Sequence, residues 1–83
     1  MKDFPEFRAH LAGLHNEAEI AEAIKIYFDG FGIVCKATRF MALGRESKRC
    51  FLVRFADSSN ALKVANHCRL RSFAFDGALL ELG

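Results

Sequence analysis

The sequence predicts one α+β domain whose elements run βαββαβ. Three segments carry this expectation. Residues 48–55 alternate with period two: Phe51, Val53 and Phe55 fall on one side and Lys48, Cys50, Leu52 and Arg54 on the other. The first set reads as core, and the second as an open sheet surface, basic and only moderately apolar. Residues 17–29 and 58–68 instead space their apolar residues as helices do.

Taken in order, residues 1–6 read as a flexible N-terminal lead and residues 7–83 as the domain. Residues 7–13 alternate Phe7, Ala9 and Leu11 against Arg8, His10 and Ala12, which predicts a first strand ending at Gly13. Asn16 with Glu19 three residues on resembles a capping box, so a helix is expected from Glu17. Its core face is Ile20, Ala23, Ile24, Tyr27, Phe28 and Phe31, and Gly30 and Gly32 supply the stop. Residues 33–41 form the second strand, with Val34, Lys36, Thr38 and Phe40 alternating with Cys35, Ala37 and Arg39. A polar turn over 42–47 leads into the third strand. Asp57 or Ser58 caps the second helix, whose face is Ala61, Leu62, Ala65 and Cys68. Asp76-Gly77 marks a turn, and residues 78–82 close as the last strand.

Composition narrows the function classes. Eighty-three residues, 52% hydrophobic with nine Phe, suit one folded core and little else. Cys35, Cys50 and Cys68 are odd in number and form no C-x-x-C pair, which predicts free thiols in a reducing compartment and neither a disulfide framework nor a zinc site. The expected location is intracellular and cytoplasmic, with the nucleus also open. No stretch has the apolar length of a signal peptide or a membrane span. Charge is uneven: residues 1–35 carry −3, while residues 36–54 carry Lys36, Arg39, Arg45, Lys48, Arg49 and Arg54 against Glu46 alone, +5. A basic middle is a plausible footprint for a polyanion.

The order and spacing of these elements resemble the RNA recognition motif (RRM) family, which implies a ferredoxin-like sandwich: a four-stranded antiparallel sheet with two helices on one face. The family's first-strand hexamer is matched in position by Ala9-His10-Leu11-Ala12-Gly13-Leu14, and its third-strand octamer by residues 48–55. Phe31-Gly32, Ala61 with Ala65, and the apolar pattern from Leu70 to Leu82 also fit. The resemblance implies that the first and third strands are neighbours, expected in parallel across a right-handed crossover. It also implies nucleic-acid binding on the sheet. The family's three base-stacking positions fall on His10, Cys50 and Leu52, none of them Phe, Tyr or Trp.

The expected function is therefore weak, salt-dependent binding of single-stranded RNA by a basic open face. The candidate residues are His10, Lys36, Phe40, Arg45, Lys48, Arg49, Cys50, Leu52 and Arg54. The competing expectation is a protein-interaction module, taking a partner peptide or a second copy. Degenerate sheet motifs, an acidic first helix and Arg71-Ser72-Phe73 resemble family members that grip a partner's tryptophan, although the triplet falls two residues early. Phe73 and Phe75 are therefore expected to cover the sandwich edge instead. His10 beside Cys50 suggests a nucleophile and base, with Glu81 of the last strand in reach of His10, but an open flat sheet excludes no water, so no enzyme is expected. No cofactor, metal, membrane or small-molecule substrate is expected either.

Overall fold

The computed structural model describes residues 3–41, 43–44 and 48–83. Its elements are helix α1 (Phe4–Ala12), helix α2 (Glu17–Asp29), strands β1 (Cys35–Phe40) and β2 (Cys50–Phe55), helix α3 (Ser58–Cys68), and strands β3 (Arg71–Phe73) and β4 (Gly77–Glu81). The strands form one sheet in the order β1-β2-β4-β3, every pair antiparallel. The domain is thus α+β with a four-stranded antiparallel sheet, as expected, but it carries three helices. Among the described residues, no helix is long and apolar enough to cross a membrane.

The expected first strand is the main correction. Residues 7–12 belong to α1, which begins at Phe4, inside the segment read as a lead. Asp3 is its N-cap and accepts from the Glu6 amide at 3.0 Å, Pro5 sits in the first turn, and Gly13 follows the last helical residue. The buried residues Phe4, Phe7 and Leu11 are spaced three and four apart. Phe7, Ala9 and Leu11 alternate, but Phe4 and the cap decide the matter. With that strand gone, no parallel neighbour stands beside β2. The last strand, β4, takes the place.

The helix bounds of α2 and α3 agree with the sequence expectation. Asn16 accepts from the Glu19 amide at 3.1 Å, and Asp57 caps α3 through Ser59. On α3 the buried residues are Ala61, Val64 and Ala65, while Leu62 is exposed, so the sheet-facing stripe lies slightly off the expected one. The core joins Phe4, Phe7 and Leu11 of α1, Ile20, Ile24 and Phe28 of α2, and Ala61, Val64 and Ala65 of α3. From the sheet come Cys35, Ala37, Phe51, Val53, Phe55, Ala78 and Leu80. All these sheet residues share one parity of their strands, so the helices cover one side of the sheet. The expected core set Phe51, Val53 and Phe55 lies on it.

Candidate nucleic-acid interface

The side of the sheet away from the helices is assembled by register. Reading across the strands, Phe40 lies opposite Cys50 and Cys50 opposite Glu81. Thr38, Leu52, Leu79 and Arg71 make the next row, and Lys36, Arg54, Gly77 and Phe73 the third. The two outer strands each contribute one Phe. Their rings meet edge to face, centroids 4.9 Å apart and planes at 67°. Between them in the register lie Leu52 and Leu79. Cys50 is 1% and Leu79 6% exposed although neither belongs to the helix-side core, so this face has a small apolar layer of its own. Phe40, Leu52 and Phe73 remain half-buried, each presenting surface to solvent.

Gly77 makes this closeness possible. A Cβ there would meet the Phe73 carbonyl oxygen at 2.7 Å and the Leu52 Cδ1 at 3.1 Å. The hairpin between β3 and β4 brings Phe73 onto the face only because position 77 lacks a side chain.

Around the rings stand Lys36, Arg54 and Arg71, all exposed. Arg54 Nε lies 3.3 Å from Asp76 Oδ2, a solvent-exposed pair. Lys48 Nζ reaches Glu81 Oε2 at 4.0 Å. Among the described residues, no carboxylate pairs with Lys36 or Arg71.

The expected site residues divide sharply. Lys36, Phe40, Leu52 and Arg54 come together on the face, with Lys48 at its margin. Cys50 is on the same face but sealed. His10 is not on the sheet at all: it lies exposed in the last turn of α1, on the other side from Cys50, so the two form no pair. Arg45 lies outside the described residues. Arg49 faces the helices, where its guanidinium donates to the carbonyls of Ala12, at 2.8 Å, and Leu14, tying down the end of α1. Arg39 is held likewise: it donates to the Cys50, Phe40 and Lys48 carbonyls, pairs with Glu17 at 3.4 Å and lies over the Phe51 ring. Arg8 of α1 donates to the Glu81 carbonyl at 2.7 Å. Arginines at this end of the sheet are therefore structural clips.

Sequence reasoning named Arg71 and Phe73 only for a protein partner and left both out of the nucleic-acid set. Phe73 does not cover the sandwich edge but faces solvent beside Phe40, and Phe75 stands 94% exposed in the turn. Three residues are too few to display an alternation. The available signal was the short span from Phe73 to Gly77, which is hairpin length.

A separate groove of about 820 Å³ lies between the start of α1, α2 and α3, floored by Phe4, Phe28, Ile33 and Val64. None of the expected site residues lines it. On this side of the molecule burial, helped by the Asp29 carboxylate, pushes the Cys35 thiol up to about 11, and burial also raises Cys68. Among the described residues, no cluster of His, Cys, Asp and Glu could hold a metal ion.

No protein-family model, curated protein or solved structure matches the chain.

Proposed function

We propose that the open face binds single-stranded RNA, with Phe40 and Phe73 as stacking surfaces and Lys36, Arg54 and Arg71 as phosphate contacts. The observation that supports this most is the half-exposed Phe40–Phe73 pair, flanked by cations and set on an open sheet. A base has a π face whatever its identity, so such a pair stacks bases with little sequence preference. Each stacked base is worth about 1–3 kcal/mol, and two rings with a few phosphate contacts give an affinity on the order of 10–100 μM. Relative to the expectation from sequence, Phe40 stays, Phe73 replaces His10 as the second π face, and the sealed Cys50 drops out. Arg49 leaves the set.

An NMR titration with a short pyrimidine-rich RNA at low salt tests this. Shifts should gather on Phe40, Leu52, Arg54, Arg71 and Phe73 and should shrink as salt rises, by about 0.7 in the log–log slope for each phosphate contacted. A matched DNA oligomer reads whether the 2′-hydroxyl contributes. The second reading, a protein-interaction module, is favoured by the bare side chains of Met41, Leu43 and Phe75 near the same sheet. If about 1 mM RNA at low salt moves none of the face signals, the first reading fails and this one replaces it.

A further inference from the structure

The two edges of the sheet are unlike. The Ala56 amide donates to the Val34 carbonyl at 3.0 Å, which sets the phase of the β1–β2 ladder. In that phase the backbone groups of Lys36, Thr38 and Phe40 turn toward β2, and those of Cys35, Ala37 and Arg39 turn outward. No hydrogen bond among the described residues takes up these outward groups. On the opposite edge β3 is only Arg71–Phe73, and the same parity leaves Ser72 alone facing out before the chain turns through Ala74 at φ 61°. A short edge closed by a turn is blunted; β1 is not.

We infer that β1 is a homodimer edge: two copies pair β1 to β1 antiparallel, with the dyad at Ala37, extending the sheet to eight strands. In this register Cys35 of one copy lies opposite Arg39 of the second copy, and Ala37 opposite its own equivalent. These are the pairs whose outward amides and carbonyls match, and each exchanges two hydrogen bonds. On the open face, Lys36 lies opposite Thr38 of the second copy. Val34, 60% exposed although apolar, lies opposite the half-exposed Phe40. No like charges oppose one another. A dyad one residue earlier, at Lys36, would set two ammonium groups face to face. The Arg39 guanidinium is already drawn inward by the Cys50 and Lys48 carbonyls, which leaves the edge beside it clear of its charge.

This pairing stands apart from the RNA reading and is tested without nucleic acid. Sedimentation equilibrium of the 83-residue chain should give twice the 9.3 kDa monomer mass at concentrations near or below about 1 mM. Amide exchange should slow with protein concentration at Cys35, Ala37 and Arg39, while Lys36, Thr38 and Phe40 stay protected throughout because their amides are used within one copy. Thr38 is exposed, so Thr38→Lys should leave the monomer's melt intact. It sets two lysines opposite at both ends of the ladder and should weaken the dimer roughly 2- to 30-fold. The charge swap K36E/T38K should restore it. A monomer at about 1 mM, a dimer whose Cys35, Ala37 and Arg39 amides exchange at an unchanged rate, or a dimer indifferent to Thr38→Lys overturns the inference. Should Thr38→Lys not fold, the exchange pattern of the unaltered chain decides alone.

Discussion

The two faces of β2 are built from neighbouring residues and serve opposite ends. On the helix side stand Phe51, Val53 and Phe55, all buried, with Arg49 just before them gripping the end of α1. On the far side stand Cys50, Leu52 and Arg54, of which Arg54 reaches only an exposed carboxylate. Arg49 and Arg54 belong to one basic run, five residues apart. An odd separation in a strand puts them on opposite faces. Charge counted along a sequence is therefore not charge on a surface. Of the +5 run, Arg39 and Arg49 are committed to backbone carbonyls and Lys48 and Arg54 make only solvent-accessible ion pairs, while Arg71, from outside the run, joins the face.

The sharpest test of this contrast is Phe51 against Leu52. Phe51→Ala removes a fully buried ring and should cost about 3–5 kcal/mol, much of the stability of so small a domain. Leu52→Ala, half-buried on the other face, should cost about 1–2 kcal/mol. Urea melts measure both. Equal losses would mean that the open face is as closed as the core.

Next come the two arginines. Arg49→Ala strips two carbonyls at the end of α1 of their charged donor and should cost about 1.5–3 kcal/mol. RNA affinity of the folded fraction should be unchanged. Arg54→Ala should alter stability by no more than about 0.5 kcal/mol. It should weaken RNA binding and reduce the salt slope by about 0.7. A stable Arg49→Ala that loses RNA would return Arg49 to the binding face and break the comparison.

Phe40→Ala and Phe73→Ala should each weaken RNA binding by about 1–3 kcal/mol while leaving the salt slope as it was. Fluorescence anisotropy across a salt series separates this from the arginine effect. Because the rings touch, the double variant should lose less than the sum of the two.

A further contrast between the two faces lies in the alkaline stability curve. Cys35, on the helix side, is pushed up to about 11 from an ordinary thiol value of 9.0, first by burial. The folded chain therefore holds its proton where the unfolded chain releases it. That contribution is complete below about pH 9 and is lost as pH rises toward 11. Melts between these values should show a falling stability that flattens in Cys35→Ala. The same shift should slow alkylation of Cys35 at pH 8 by roughly a hundredfold relative to the unfolded chain.

Local signals by themselves determined much of this protein. The bounds of α2 and α3, the capping by Asn16 and Asp57, and the parity of residues 50–55 were all legible. Each rests on contacts within a few residues, which spacing along the chain records. Residues 7–12 were misread because Phe7, Ala9 and Leu11 satisfy two periods at once; the cap at Asp3 and the apolar Phe4, both in the sequence, resolve it toward helix. Tertiary structure alone decided three matters. It set β4 beside β2, it turned Arg39 and Arg49 inward, and it brought Phe73 against Phe40 across two intervening strands. The reason is common to all three. Sheet order, carbonyl partners and ring contacts join residues far apart in the chain, and no local period encodes which distant partner is met.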